Sequence, residues 1–263
     1  MPDPDLICEV RSTDGGMYRD WLGVSVEYTY ADTNPLRHFA LTCAEPSVVG
    51  KLRLKPGDRV DVTLAGRKVI DNGYVKNRQV GFDPNRRAVQ ITGISAAGQI
   101  QQASVDPAQY RGYSLSQIGG AVAKQFGVGF RMENPPAGAD KTFPNVIPHY
   151  GETGRQFLRR LARARGVMLR TDPNGDIVAG VPAGGSGATL EEGINILSLN
   201  CYIEFPWAEQ VVGSAQTPGT DQKFGSAAAQ IQSTATIPSG AKGMTVRIAA
   251  DRPLDAQENQ TAV

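Results

Sequence analysis

The sequence predicts a mainly β protein with a small α+β insert, on three observations. Apolar and polar residues alternate with a period of two over much of the first hundred residues. After Asp106 the apolar spacing becomes helical, and from Ile196 the period of two returns. The 30 Gly and 17 Pro, with aromatic residues at only 7%, favour many short strands and turns over a helical bundle.

The first hundred residues contain six candidates for antiparallel strands, of which those in Arg59–Ile94 form a strongly bent meander. Ala65-Gly66 and Phe82–Asn85 provide the turns of its clearest part, because Gly and Pro suit turn positions. Val89 and Ile91 of the last strand are predicted to face inward, with polar residues between them facing outward. The candidates are Leu6–Arg11, Leu22–Tyr30, His38–Cys43, Arg59–Leu64, Val69–Val80 and the return strand that contains Val89 and Ile91.

Asn72-Gly73, inside the fifth candidate, has two interpretations. Asn-Gly is a strong hairpin signal, but a turn there would leave only about five residues back to the preceding turn. We therefore predict a bulge or kink at Gly73 that bends a long strand. Such a bent meander is most easily closed as a small barrel.

The insert begins with a predicted helix that Ser114 can cap. Its apolar residues fall at helical spacing, and Gly127 is placed to end it. A Pro-rich connector, Asn134–Pro148, precedes a second helix that starts near Glu152 and ends before Gly166. The predicted core residues are Leu115, Ile118, Val122 and Phe126 of the first helix and Phe157, Leu158 and Leu161 of the second.

A short hairpin and a second β unit complete the plan. The hairpin pairs Val167–Thr171 with Asp176–Val181 across the turn Asp172–Gly175. We predict three domains: a small β-barrel in residues 1–105, the insert in 106–190 and a second β unit in 191–263, which the family resemblance given below implies are two tube-like β-barrels flanking the insert. Because Leu254–Val263 opens like a helix and has no C-cap, we expect the second domain to continue beyond residue 263. Its strand candidates are Tyr202–Phe205, Val211-Val212, Ala235–Ile237 and Met244–Ala249.

Charge, apolar runs and cysteines exclude several classes of function. The net charge of +1 provides no bulk field for nucleic acid or an anionic membrane. The acidic start is unlike a secretory signal, and no apolar run reaches the roughly 20 residues that span a bilayer, so stable membrane insertion is not expected. Cys8, Cys43 and Cys201 are interpreted as free, mostly buried thiols, with a disulfide or metal role as the alternative.

The sequence contains no pattern that indicates catalysis. His38 and His149 are the only histidines, and neither has a Cys, His or carboxylate at metal-ligand spacing. The nucleophile motif G-x-S-x-G and the phosphate-loop ending G-K-[ST] are both absent. Glu191-Glu192 are adjacent, so on a helix they project apart and are better placed near an N-terminus than as a catalytic pair. We predict no enzyme activity, no catalytic residue, no metal site and no cofactor.

Arg155, Arg159 and Arg163 form the one charge cluster of note, at i, i+4 and i+8 on the second helix. This arginine stripe lies opposite the predicted core residues Phe157 and Leu161. It is interpreted either as a solvated face or as a partner contact, since Arg suits bidentate pairing with carboxylates. Nucleic-acid binding is the weakest alternative, because no aromatic residues are interleaved along the stripe.

Four stretches of the sequence form a further pattern when they are taken together. They are Pro56–Val75 (PGDRVDVTLAGRKVIDNGYV), Val89–Ser95 (VQITGIS), Gly151–Leu169 (GETGRQFLRRLARARGVML) followed by Asp172–Gly175 (DPNG), and Tyr202–Ser214 (YIEFPWAEQVVGS). In this order and at this spacing, over about residues 50 to 215, they resemble the Mu-like baseplate hub proteins and the late-control tail proteins of phages.

The resemblance implies a structural hub subunit of a tail baseplate. In such a homotrimer, two tube-like barrels per chain make a pseudo-sixfold ring between a hexameric tail tube and a trimeric spike. The implied partners are a tail tube or distal tail protein, a central spike protein, baseplate wedge proteins, and the tape-measure protein or DNA passing through the channel. The implied location is the virion tail, after assembly in the host cytoplasm.

Two other classes of function stay open. Tyr113–Phe130 loosely resembles a small glycan-binding unit, which would fit a cell-wall-binding or cell-wall-hydrolysing tail-tip protein. A carboxylate pair in a cleft would favour the hydrolase. A carbohydrate-binding β-sandwich is the third possibility, and it would be monomeric with exposed Trp, of which only Trp21 and Trp207 are candidates.

Overall fold

The computed structural model describes ten stretches of the chain, most of whose regular structure is β. The chain divides into two compact units, one of residues 1–162 with 167–181 and the other of residues 163–166 with 182–263. The described residues are 7–28, 35–44, 52–83, 86–183, 189, 191–194, 196, 208–216, 219–237 and 242–249.

A seven-stranded antiparallel sheet forms the first part of the first unit. Its spatial order is β2-β1-β5-β6-β7-β4-β3. Each of the six predicted strands lies within or overlaps an observed one, and β2 is an additional strand of two residues. The strands are β1 Cys8–Ser12, β2 Met17–Tyr18, β3 Gly23–Glu27, β4 His38–Ala44, β5 Arg59–Leu64, β6 Arg67–Asp83 and β7 Arg86–Ile94.

The inner face of this sheet is the main core. Val89 and Ile91 face inward and are fully buried, as predicted, whereas Gln90 between them is exposed. Burying side chains of this size from water stabilises the fold by about 1.5–3 kcal/mol each. The same core contains Val10, Phe39, Leu41, Leu54, Val60, Val62, Ile70 and Val75.

The predicted turn at Ala65-Gly66 connects β5 to β6. Both residues have positive φ, 46° and 76°, as a two-residue turn between antiparallel strands requires. Pro84 and Asn85, which belong to the other predicted turn, lie outside the described residues. The register there pairs Asp83 with Arg86.

The long strand β6 continues through Asn72-Gly73 instead of reversing. The pair Val60–Gly73 is followed by Val62–Ile70, so β6 has one extra residue at this point, and Asn72 has a φ of 50°. A Cβ on Gly73 would lie 2.6 Å from a methyl carbon of Ile70, so a side chain has no room. Within the described residues the sheet order ends at β2 and β3, so closure into a barrel remains a prediction, as does the role of Gly73 in it.

The insert is built from two helices and a second sheet. A 3₁₀ helix, Ala96–Gln101, leads into α1, Leu115–Gln125, and then β8, Phe130–Glu133. These are followed by α2 Gly154–Ala164, β9 Met168–Thr171 and β10 Ile177–Gly180. In this sheet β10 lies between β8, to which it is parallel, and β9, to which it is antiparallel.

Capping residues in the sequence predict the positions of both helices correctly. The Ser114 side chain accepts a hydrogen bond from the Gln117 backbone, and the Gln117 side chain accepts one from the Ser114 backbone. Gly127 and Gly166 have φ of 69° and 64°, the left-handed conformation that follows a helix end. The predicted core residues of both helices are buried, apart from Phe126, which is half-buried.

The second unit contains a three-stranded sheet in the order β12-β11-β13. The predicted strands around Val211, Ala235 and Met244 are confirmed in position, with β11 antiparallel to β12 and parallel to β13. Tyr202–Phe205 and Leu254–Val263 lie outside the described residues. The elements are β11 Gln210–Ala215, α3 Ser226–Ala229, β12 Ile231–Thr236 and β13 Thr245–Ala249.

Glu152 holds the connector against α2. Its carboxylate accepts hydrogen bonds from Arg160 Nε and Nη2, at 3.0 and 2.9 Å, and from the His149 backbone at 2.8 Å. Burial alone would raise the pKa of Glu152, but the hydrogen bonds from Arg160 and His149 outweigh it and hold that pKa below its usual value.

Truncating the core of α2 should destabilise the first unit. Leu161 is 3% exposed, so Leu161→Ala should lower the free energy of unfolding by roughly 2–5 kcal/mol through lost burial and a residual cavity. Thermal denaturation followed by circular dichroism measures the loss. The exposed Lys124 on α1 provides the control, because Lys124→Ala removes no buried contact. Equal melting temperatures for the two variants would contradict the core position of Leu161.

The ion pair at Glu152 should make stability depend on pH. A carboxyl with a lowered folded pKa stabilises above its unfolded pKa of about 4.3, and this contribution is lost as pH falls through the folded value. Glu152→Gln should therefore lower the melting temperature at about pH 7, and the difference from wild type should shrink towards about pH 3. The exposed Asp221 gives the matched control, Asp221→Asn. A pH-independent difference would show that the charge of Glu152 contributes nothing.

Candidate functional site

The two histidines lie in different parts of the first unit. His38 is half-buried on β4, and its pKa lies below the usual value because burial disfavours the imidazolium. His149 is exposed in the connector before α2. The two therefore do not form a common site.

His38 lines a cleft of about 330 Å³ on the first sheet. Among the described residues around it, Glu27 is the one carboxylate and Lys76 the one primary amine. Glycoside hydrolysis generally uses two carboxyl groups that flank the scissile bond, and this cleft has one. The described lining is Ser25, Glu27, His38, Phe39, Ala40, Lys76, Asn77, Thr92 and Gly93.

The buried thiols have the character of packing residues. Cys8 and Cys43 are both buried, as predicted, and burial raises the pKa of the Cys8 thiol to about 11. Cys201 lies outside the described residues. Within the described ranges, no group of three or more His, Cys, Asp or Glu side chains could hold a metal ion. None of the helices described has both the length and the apolar character to cross a bilayer.

A buried arginine joins the insert to the first sheet. Arg37 is 7% exposed, and its Nε donates to the Thr171 carbonyl at 3.1 Å while its Nη1 donates to the Val69 carbonyl at 3.0 Å. The ring of Tyr28 lies 4.4 Å from the guanidinium carbon. Burial lowers the pKa of Arg37, and the favourable charges of Tyr28 and Asp172 partly offset this. Arg37 therefore serves as a fixed donor between two sheets.

Thr171 completes this junction from the side of the hairpin. Its hydroxyl accepts from the Arg37 backbone at 3.0 Å and donates to the Pro35 carbonyl at 3.2 Å. The Thr171 backbone donates to the same Pro35 carbonyl at 2.8 Å, and Ser95 donates to the Arg37 carbonyl at 2.9 Å. Nothing local in the sequence marks these residues, because Arg37 and Thr171 are 134 positions apart.

The hairpin turn sits directly on the first sheet. The Asp71 backbone, at the irregular part of β6, donates to the Pro173 carbonyl at 2.8 Å. A Cβ on Gly175, which has a φ of 86°, would lie 2.5 Å from the Cβ of Ala96. The sequence predicted this turn from its Asp-Pro-Asn-Gly composition, and the structure adds that Gly175 is needed for close contact.

Charged pairs cover the remaining face of the insert sheet. Asp172 is 4% exposed and pairs with Arg131, whose pKa is raised by this hydrogen bond. Glu133 pairs with Arg170 across the sheet. Each of these carboxylates therefore has a cationic partner in a charge-assisted hydrogen bond.

The structure places the arginine stripe on α2. Arg155 and Arg159 are half-buried, Arg163 is exposed, and each of the three interacts with other groups of the chain. Their neighbour Arg160 pairs with Glu152, as described above. Whether the stripe is a partner contact or a solvated face stays a prediction.

Comparison with known proteins identifies similar sequences for parts of the chain. Residues 97–181 match the sequence profile of the family "Baseplate hub protein gp44-like, second domain", and this range contains both helices and the Thr171 side of the junction. The chain is 26% identical over 194 residues to the baseplate hub protein gp44 of Escherichia phage Mu. That alignment covers 73% of this chain and 50% of the relative, so the chain spans about half the length of the curated relative it matches.

Two solved tail proteins share the fold. The 43 kDa tail protein of prophage MuSo2 from Shewanella oneidensis superposes with a TM-score of 0.76 at 20% identity, covering 96% of this chain and 74% of that one. A tail protein from Neisseria meningitidis MC58 superposes with a TM-score of 0.69 at 16% identity, covering 97% and 73%. The matching profile and the phage Mu relative show that this chain is similar to phage baseplate hub proteins, and the two solved tail proteins share its fold.

Proposed function

We propose that this chain is a structural subunit of a phage-tail baseplate hub, forming a trimeric ring that joins the tail tube to the central spike and lines the ejection channel. The observation that carries this is the match to a baseplate hub protein over 73% of the chain. The matching profile for residues 97–181 supports it independently.

The arrangement of β structure supports a ring. One sheet precedes the insert and another follows it, in line with the proposed domains 1–105, 106–190 and 191–263. If each sheet completes a tube-like barrel, three chains present six similar barrels, which converts threefold into approximate sixfold symmetry. Such a ring has matching symmetry for a hexameric tube on one side and a trimeric spike on the other.

A non-enzymatic role fits the chemistry of the described residues. The cleft beside His38 has one described carboxylate, and the buried pairs of the insert compensate one another. The alternative is a cell-wall-binding or cell-wall-hydrolysing tail-tip protein, and its hydrolysing form requires a catalytic pair that none of these groups provides. Purified protein should therefore leave peptidoglycan intact, and turnover abolished by one Asp or Glu substitution would favour the alternative.

The proposed partners are those of a tail hub. They are a tail tube or distal tail protein, a central spike protein, baseplate wedge proteins, and the tape-measure protein or DNA in transit. The proposed location is the virion baseplate, after assembly in the host cytoplasm.

Assembly provides the direct test of this proposal. Native mass spectrometry or light scattering should give the mass of three chains, at high protein concentration or with a spike or tube partner present. A sheet with open edges gains by pairing within such a ring. A monomer that persists with both partners supplied would overturn the hub proposal.

The arginine stripe offers a second test. Arg159→Gln with Arg163→Gln removes two charges without introducing repulsion, and the melting temperature should change little because partly exposed helix charges contribute about 0.3–0.5 kcal/mol per pair. If the stripe is a contact, folded subunits should fail to assemble into tails under electron microscopy. Arg111→Gln with Lys124→Gln, two exposed cations of the same insert, is the matched control. Normal tails from both double variants would identify the stripe as a solvated face.

A further inference from the structure

The cleft beside His38 lies over a row of four opposed residues on the outer face of the first sheet. The register pairs Ser25 with Ala40, Ala40 with Thr92, and Thr92 with Asn77. Directly opposed side chains share a face, so β3, β4, β7 and β6 each contribute one side chain to this row. Its two central side chains, Ala40 and Thr92, are small. This explains why a cleft of about 330 Å³ opens at this point of the sheet.

Longer side chains stand beside this row. Glu27 on β3 lies opposite His38 on β4, and Lys76 is the extra residue where the β6–β7 register shifts. Glu27 and Lys76 are exposed, whereas His38, Ala40 and Thr92 are half-buried. The cleft therefore has a half-buried floor on the two central strands and a charged side chain on each flanking strand.

This lining disfavours ligands with a single charge and ligands that are apolar. An anion would face the carboxylate of Glu27, and a cation would face the ammonium of Lys76, so either meets a like charge. An apolar ligand would remove polar groups from water without replacing their hydrogen bonds. The apolar side chains of the described lining are Ala40 and Phe39, and Phe39 is only 2% exposed. A neutral ligand with many hydrogen-bonding groups fits this lining best.

The polar side chains of the cleft offer both donors and acceptors. Ser25, Asn77 and Thr92 each provide both, while Glu27 accepts and Lys76 donates. A sugar has the complementary property, because each of its hydroxyl groups donates one hydrogen bond and accepts others.

His38 adds a further donor and acceptor. Burial lowers the pKa of His38, so its imidazole is neutral at about pH 7 and has one nitrogen of each kind.

We propose that this cleft binds a small neutral saccharide without cleaving it. Its volume of about 330 Å³ lies at the lower end of the range for ligand pockets, about 300–1,000 Å³. Cleavage is not expected, because the described lining has one carboxylate and glycoside hydrolysis generally uses two. This inference goes beyond the proposed structural role and does not depend on the proposed ring.

The test uses the two histidines of the chain as reporters. The full chain is titrated with N-acetylglucosamine and with glucose at constant pH, about 8, where both imidazoles are neutral. The imidazole NMR signals of His38 should shift, and those of His149 in the connector should not. The titration should extend to concentrations that detect a dissociation constant in the millimolar range.

Two variants connect the signal to the cleft. Glu27→Gln removes the charged acceptor and Asn77→Ala removes the amide, so each should raise the dissociation constant about tenfold. Melting temperatures should stay near wild type, because both side chains are exposed. Asp106→Asn and Gln125→Ala make comparable changes at exposed positions of the insert and should leave binding unchanged.

Glycine and inorganic phosphate, as zwitterionic and anionic probes, decide the class of ligand. If either shifts His38 as strongly as the saccharides do, the cleft takes a charged ligand and the inference is wrong. Saccharides that leave His38 unshifted also overturn it, as does saccharide binding that Glu27→Gln and Asn77→Ala leave unchanged. A saccharide response at His38 alone, weakened in these two variants and kept in the controls, supports it. The hub proposal stands in every case, because it requires no ligand in this cleft.

Discussion

The buried guanidinium of Arg37 is the constraint on which the first unit depends. A buried cation is costly unless hydrogen bonds replace its lost water, and Arg37 obtains them from the carbonyls of Val69 and Thr171. One acceptor belongs to the first sheet and the other to the insert. The guanidinium therefore keeps both hydrogen bonds only when the sheet and the insert are packed together. The same residue fixes the position of the 3₁₀ helix, because its carbonyl accepts from Ser95.

The junction holds the insert against the first sheet. The insert contains both helices and the hairpin, and the family profile covers much of the same region, residues 97–181. Because Arg37 and Thr171 bond across the junction, the first sheet and the insert keep one arrangement within the first unit. In the ring that we propose, such an arrangement matters because small angular errors at contacts between copies prevent closure.

Local patterns predicted much of the fold, and residues distant in sequence explain what they missed. Ser114 and Gly127 mark the two ends of α1. Both can be recognised from the sequence because helix capping depends on residues within about four positions of the helix end. The sequence pattern does not predict strand β8, because its four residues form a strand only by pairing with β10, 47 positions later. The arginine spacing on α2 was predicted correctly, but the partial burial of Arg155 and Arg159 depends on surroundings that the helix alone does not define.

The order of strands in the insert sheet has a consequence for synthesis of the chain. The central strand, β10, is the last of the three to leave the ribosome, so β8 has no partner in that sheet until residue 180 has been made. At about 5–20 residues per second, Thr171 follows Arg37 by roughly 7 to 27 seconds. During this interval Arg37 lacks its acceptor on Thr171, so burial of its guanidinium is unfavourable until the hairpin has been made.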